Sequence, residues 1–331
     1  HVDILIKNPF VCGTKLSLFA HMSGLTGISK LNPILSVFLI LCVVFIGFYI
    51  IGPIVGFFAS LVFYEGSMVD FVQKITNPLQ HPELRIPILV MQGFATLVGL
   101  ILIPWLYLHS KEHVNPLQWV KKSSGLLVGV VVLAVIAFMV PNSLIIEWNA
   151  TFTFPDFMKE FGAWARERED AAAELTKLFT VFNTPLEFIF GLVIIALLPA
   201  IGEELVFRGM LQPEFYRASG NHHVAIWVSA FLFSAFHFQF FGFVPRMLLG
   251  ALFGYLYLWS GNFLMPVIAH FVNNGFMVLM MYLHQQDIST LDIESPEAAP
   301  WTAIVPFTIL FVGLLYYFFR YYKNQLPVYE Q

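Results

Sequence analysis

The stretch LPAIGEELVFRGM, ending at Met210, carries the residues best suited to chemistry: Glu203, Glu204 and Arg208, set directly behind the apolar run Phe188 to Ile201. A carboxylate buried at the edge of a bilayer costs several kcal/mol unless it is paired or used, so such groups are functional candidates. On a helix at about 100° per residue, Glu204 and Arg208 are i,i+4 neighbours and can pair, whereas Glu203 projects from another face. One carboxylate is thereby neutralised and one is left for chemistry. Three more polar positions interrupt later apolar runs. His237 stands in FLFSAFHFQFF, four residues after Phe233, and His270 and Asn274 stand in PVIAHFVNNG at a spacing that puts both on one helix face.

A single histidine in a membrane helix is most simply a hydrogen-bonding partner for its neighbours. Three helices that each contribute Glu, His or Asn suggest water-mediated hydrolysis instead. A buried Glu can deprotonate water, one His can position that water or shuttle its proton, and a His with an Asn can donate hydrogen bonds to a developing oxyanion. No serine or cysteine nucleophile is required. The same side chains could bind zinc, through Glu203, His237 and His270, but neither HExxH nor another compact histidine pair is present. The expectation is therefore no cofactor, with zinc as the alternative.

These residues need helices to hold them. The chain is 58% hydrophobic and 11% charged, with a mean hydropathy of +0.75, a surface no water-soluble domain of this length tolerates. An all-α, polytopic membrane protein follows, with the lipid bilayer as its surroundings. No basic patch suggests nucleic acid. Two cysteines, Cys12 and Cys42, exclude a disulfide framework and a cysteine-rich metal site. Counting apolar runs against a hydrocarbon core of about 30 Å gives eight spans: Pro33–Tyr64, Ile86–Leu108, Gly125–Ile146, Leu186–Ile201, Val224–Val244, Met247–Trp259, Phe263–Leu283 and Trp301–Phe319. The sixth is short, which keeps a six-span arrangement with a re-entrant segment as the alternative.

Lys111, Lys121 and Lys122, then Arg208 and Arg217, then Arg320 and Lys323 fall on one side of such an eight-span chain. By the positive-inside rule both termini are then cytoplasmic. On this count Glu203 ends the fourth span and His270 lies near the same side, whereas His237 lies some 13 residues, or roughly 20 Å, deep in the fifth. Between the third and fourth spans, Pro155 to Phe182 mixes Phe157, Phe161 and Trp164 with the charges of ARERED, the pattern of an amphipathic helix on the outer membrane surface. Asn149-Ala150-Thr151 fits a glycosylation sequon, and Pro266 predicts a kink before His270. The pair His21-Met22 is what a cloning junction leaves. Residues 1–21 are accordingly expected to be an expression-derived or flexible segment, and residues 22–331 one membrane-embedded domain with its motif core at 185–283.

The three motifs EELVFR (Glu203 to Arg208), FSAFH (Phe233 to His237) and HFVNN (His270 to Asn274) resemble those of the CAAX-protease and bacteriocin-processing family of membrane peptidases. The resemblance runs from Pro185 to Leu283 and leaves the first three spans and the last undefined. It implies an intramembrane endopeptidase of the glutamate type in which Glu203 activates water with help from His237. His270 and Asn274 would stabilise the oxyanion, and Glu204 and Arg208 would support the site. Zinc is not settled by this resemblance. The partner would be a membrane-associated peptide or protein tail, lipidated or not, presented from the cytoplasmic side or from within the bilayer, and a bacterial plasma membrane is the expected location. A nonenzymatic scaffold or immunity protein of the same fold, and a proton-relaying transporter, are the rival classes.

Overall fold

A computed structural model describes residues 31–289 and 295–324. The segment 1–21 and Cys12 lie outside the described residues. Ten helices carry the fold and no strand occurs among the described residues: α1 (Pro33–Phe63), α2 (Met68–Lys74), α3 (Pro82–Lys111), α4 (Gly125–Ala150), α5 (Lys159–Phe179), α6 (Pro185–Ser219), α7 (His222–Ala235), α8 (Phe243–Ser260), α9 (Leu264–Gln285) and α10 (Trp301–Lys323). Six of them, α1, α3, α4, α6, α9 and α10, are long and apolar enough to cross a membrane. The 14-residue α7 and the 18-residue α8 form an antiparallel pair between α6 and α9. Together these eight elements agree with the expected polytopic helical protein.

Prolines shape the long helices. A π-helical turn occurs at Gly47–Ile51, Leu97–Leu102, Leu192–Leu197 and Leu205–Leu211, and in each case a proline stands two residues beyond it: Pro53, Pro104, Pro199 and Pro213. A proline inside a helix has no N–H to donate and its ring crowds the carbonyl four residues back. Widening the preceding turn by one residue relieves that clash without ending the helix. As a result α6 runs unbroken for 35 residues, far past Ile201, where the apolar run stops.

The loops fall into two ends. At one, Arg217 donates to the Leu31 carbonyl at 3.0 Å, and Asn262 accepts from the Lys121 N–H at 3.0 Å and donates to the Lys121 carbonyl at 2.8 Å. At the other, Arg85 pairs with Glu187 at 2.8 Å and Gln285 accepts from the Phe182 N–H at 2.9 Å. Amphipathic α5 lies at this second end, with its own Phe161 and Trp164 and the preceding Phe157 exposed, close to the expected helix. Arg208 belongs to neither end. It is buried inside α6, so it drops out of the charge count that orients the chain. Pro266 occupies the first turn of α9, where its missing N–H deprives the helix of no bond, so the expected kink has no cause.

The main core packs Val44, Leu100, Val206, Phe207, Met210, Phe233 and Tyr257 around α6. On its flank α1 and α3 approach backbone to backbone: a Cβ on Gly99 would lie 2.4 Å from the Phe48 Cα and 2.6 Å from its nitrogen. Gly99→Ala is expected to push these helices apart and cost about 1–3 kcal/mol, seen as a lowered unfolding temperature in detergent. Gly129→Ala, where an added Cβ meets nothing within 4 Å, should leave it unchanged or slightly raised.

Candidate active site

The π turns before Pro199 and Pro213 bracket the α-helical turn that holds Glu203 and Glu204. Glu204 is completely buried. Its Oε1 accepts from Arg208 Nη1 at 2.9 Å, the predicted i,i+4 pair, and also from His270 Nδ1 at 2.9 Å. The second Arg208 nitrogen donates to the Gly250 carbonyl of α8 at 2.7 Å, and the guanidinium lies over the rings of Phe233 and Phe253. One turn on, Gln212 donates to the Gly254 carbonyl at 3.3 Å. A Cβ on Gly254 would sit 2.9 Å from Gln212 Oε1, so glycine is what allows this approach.

Glu203 points elsewhere, as the face argument expects. Its Oε2 lies 3.9 Å from His270 Nε2 and 4.0 Å from His237 Nε2, and it is buried without a hydrogen-bond partner. Both imidazoles are oriented from behind. His237 Nδ1 is 2.9 Å from the Phe233 carbonyl, which can only accept, so Nδ1 carries the proton there. His270 Nδ1 likewise donates to the Glu204 carboxylate. In a neutral ring each Nε2 then presents a lone pair toward Glu203, and in a protonated ring an N–H. Phe253 stacks on the His270 ring at 5.1 Å and Phe233 meets it edge-on at 5.7 Å, which fixes the ring plane.

Two sequence expectations about depth are corrected here. Glu203 does not end its helix but sits sixteen residues before Ser219, and His237 is not inside a span but in the turn between α7 and α8, fifteen residues after His222. Because α6 and α7 run antiparallel from the tight connection between them, equal counts bring the two side chains level. Hydropathy concealed this, since the turn from Phe236 to Gly242 is built mostly of phenylalanines. Phe238 adopts φ 54°, a left-handed conformation that costs a non-glycine residue about 1–3 kcal/mol.

Surrounding contacts hold that turn. Asn149 donates to the Phe240 carbonyl at 3.2 Å and accepts from the Val244 N–H at 2.9 Å. Its side chain is buried and fully engaged, so the sequon at Asn149 has no accessible acceptor. Tyr49 of α1 donates to the Phe236 carbonyl at 3.3 Å. From α5, Glu169 accepts from Gln239 at 3.3 Å and from the Phe241 N–H at 3.1 Å. Burial raises the Glu169 carboxyl above the usual range, against the pull of the Phe241 N–H and the charges of Arg246 and Arg166.

Asn274 is on the expected face of α9, one turn beyond His270, but its amide donates to the Ile195 carbonyl at 3.5 Å and its oxygen accepts from Asn273 at 3.1 Å. Sequence reasoning missed Arg246 on α8, whose Nη2 donates to Gln239 at 3.0 Å. It reads as an ordinary connection charge between two apolar runs. The signal was its place among FGFVPRMLLG, where no other polar side chain accompanies it. Among the described residues, no group of three or more His, Cys, Asp or Glu side chains is spaced to hold a metal ion.

A bundle of membrane-crossing helices with paired carboxylates and two oriented imidazoles at its centre defines a class of helical membrane protein with a polar site enclosed by α6 to α9. Residues 185–276 match the family model for type II CAAX prenyl endopeptidase Rce1-like proteins, the segment in which the three motifs lie. In Bacillus subtilis (strain 168), the uncharacterised protein YpbD is 26% identical over 118 residues, covering 32% of this chain and 58% of YpbD. The sporulation-killing factor biosynthesis protein SkfC of the same organism is 33% identical over 108 residues, covering 30% of this chain and 21% of SkfC. The matched stretch thus spans little more than half of one relative and about a fifth of the other. No solved structure matches the chain.

Removing one member of a buried pair strands its partner's charge, at about 3–5 kcal/mol. Arg208→Met is therefore expected to lower the unfolding temperature sharply, and Arg208→Met combined with Glu204→Gln to recover part of the loss, both read by thermal unfolding in detergent.

Proposed function

We propose that the protein is an intramembrane endopeptidase that hydrolyses a peptide bond in a membrane-associated peptide or protein tail, lipidated or not. The observation that carries this reading is the convergence of two Nε2 atoms on the unpartnered Glu203 Oε2 at 3.9 and 4.0 Å. These gaps are too long for hydrogen bonds and suit a bridging water. Such a water donates one hydrogen to Glu203 and the other to an imidazole lone pair, which leaves its own lone pair free for attack. Glu203 takes the proton as the water oxygen adds to the scissile carbonyl, and returns it to the departing amine. His237 orients the water. Glu204 and Arg208 fix His270 on the opposite side, and Asn274 steadies the α6 backbone at Ile195.

The Rce1-like match over residues 185–276 supports a peptidase. Grouping of Lys121, Arg217 and the N-terminal end of α1 at one end of the bundle supports a cytoplasmic position for that end, where both termini are proposed to lie, and the Bacillus subtilis relatives suit a bacterial plasma membrane. No step in this scheme runs through a metal, although the same three atoms are of the kinds that zinc takes.

Incubation of the purified protein with a peptide pool that includes lipidated members, read by mass spectrometry, is expected to give products. Glu203→Gln should lower their rate of formation at least about a thousandfold, in the upper part of the range for a lost general base, with the unfolding temperature retained. Products formed equally by Glu203→Gln would remove Glu203 from the mechanism. Loss of activity on chelation and its return with zinc would reassign Glu203, His237 and His270 as ligands. Absence of Glu203-dependent products from every peptide would favour a scaffold or immunity role, and proton-coupled uptake in liposomes a transporter.

A further inference from the structure

Hydrolysis of an amide needs a hydrogen-bond donor for the carbonyl oxygen as well as an activated water, and such a donor must be free when substrate arrives. Most donors around Glu203 are engaged. His237 and His270 spend their Nδ1–H groups on Phe233 and Glu204 at 2.9 Å each, which leaves their Nε2 atoms as acceptors whenever the rings are neutral. Asn274 donates to Ile195, and Arg208 divides its guanidinium between Glu204 and Gly250. Asn274 keeps a second N–H, but a buried nitrogen with no partner at all is found on Arg246. Its Nη2 is bound to Gln239 at 3.0 Å, while its Nη1 is buried with no hydrogen-bond partner. Arg246 shares one face of α8 with Gly250 and Phe253, which touch Arg208 and His270, and its partner Gln239 stands two residues past His237 in the same turn. An unpartnered buried donor therefore shares a site with an unpartnered buried acceptor, Glu203 Oε2. Each is costly to maintain unless a ligand completes it.

We propose that Arg246 Nη1 is a donor to the oxyanion of the tetrahedral intermediate, beside the His270 and Asn274 that the family resemblance implies, and that Arg246 is thus a catalytic residue. This rests on the peptidase reading. As the water oxygen bonds to the carbonyl carbon, the carbonyl π pair moves onto oxygen beside Arg246 and the water proton passes to Glu203. Collapse reforms the C=O bond, breaks the C–N bond and sends that proton to the leaving nitrogen. Negative charge moves from the carboxylate to the oxyanion, and the guanidinium faces it throughout. Gln239 and Glu169 are positioning residues. Glu169 accepts from the Gln239 amide at 3.3 Å, which turns the Gln239 oxygen toward Arg246. Gly242 leaves room beside the guanidinium, where an added Cβ would lie 3.0 Å from Nη2.

The test compares wild type, Arg246→Met, Arg246→Lys and Glu203→Gln by kcat, KM and the affinity for a phosphinate isostere of the cleaved peptide, which mimics the tetrahedral intermediate. Arg246→Met should lower kcat about 100- to 1000-fold, as loss of one oxyanion donor does, with KM changed less than about threefold. Phosphinate affinity should fall by a similar factor to kcat, and Arg246→Lys should recover part of both. A purely structural role would weaken ground-state peptide and phosphinate alike. Arg246→Met with kcat within about threefold of wild type, while Glu203→Gln is inactive, overturns the proposal and leaves the peptidase reading standing. If Arg246→Met does not fold, an Arg246→Lys protein with wild-type kcat and phosphinate affinity overturns it equally. Absence of Glu203-dependent cleavage by the wild type removes both.

Discussion

The Glu204 Oε1 atom holds the architecture together. A carboxylate with no solvent exposure survives in a helical core only if its charge is met by close, well-aligned donors, and here Arg208 and His270 share that one oxygen. The demand spreads outward. Arg208 in turn needs the Gly250 carbonyl, which requires α8 to lie close against α6. His270 needs α9 at a fixed depth, with Phe253 and Phe233 shaping its ring pocket. One buried charge thus sets the mutual positions of α6, α8 and α9, and Glu203 acquires its surroundings as a result.

Around that fixed point, strain is concentrated in two places. The π turns ahead of Pro199 and Pro213 isolate the glutamates on a short α-helical segment, so the carboxylates are aimed by backbone geometry that side-chain packing alone does not supply. The other place is the turn after α7, where Phe238 is left-handed and three separate elements, α1, α4 and α5, bond to neighbouring backbone atoms. A strained turn held this completely keeps His237 from drifting away from Glu203.

Much of this was legible in the sequence. The i,i+4 relation of Glu204 to Arg208 and the separate face of Glu203 follow from helix geometry alone, and the three motifs identify the side chains that meet. Positions along the membrane normal were less legible. Apolar runs mark where lipid or core contact is needed, not where helices stop, so α6 continues beyond Ile201 and α7 stops before His237. A turn made of phenylalanine resembles a span. Arg246 escaped notice for the converse reason: a lone cation between apolar runs resembles a loop, and only the antiparallel α7–α8 pair shows that it faces inward. Asn149 shows the same limit, because its partners lie some ninety residues away in sequence.

The shortness of α7 has a mechanical side. At 1.5 Å per residue its 14 residues reach about 21 Å, against about 46 Å for the 31 residues of α1. A bilayer core of about 30 Å meets a full-height wall at α1 and a low one at α7. By length alone, the lower wall therefore stands beside the turn that carries His237.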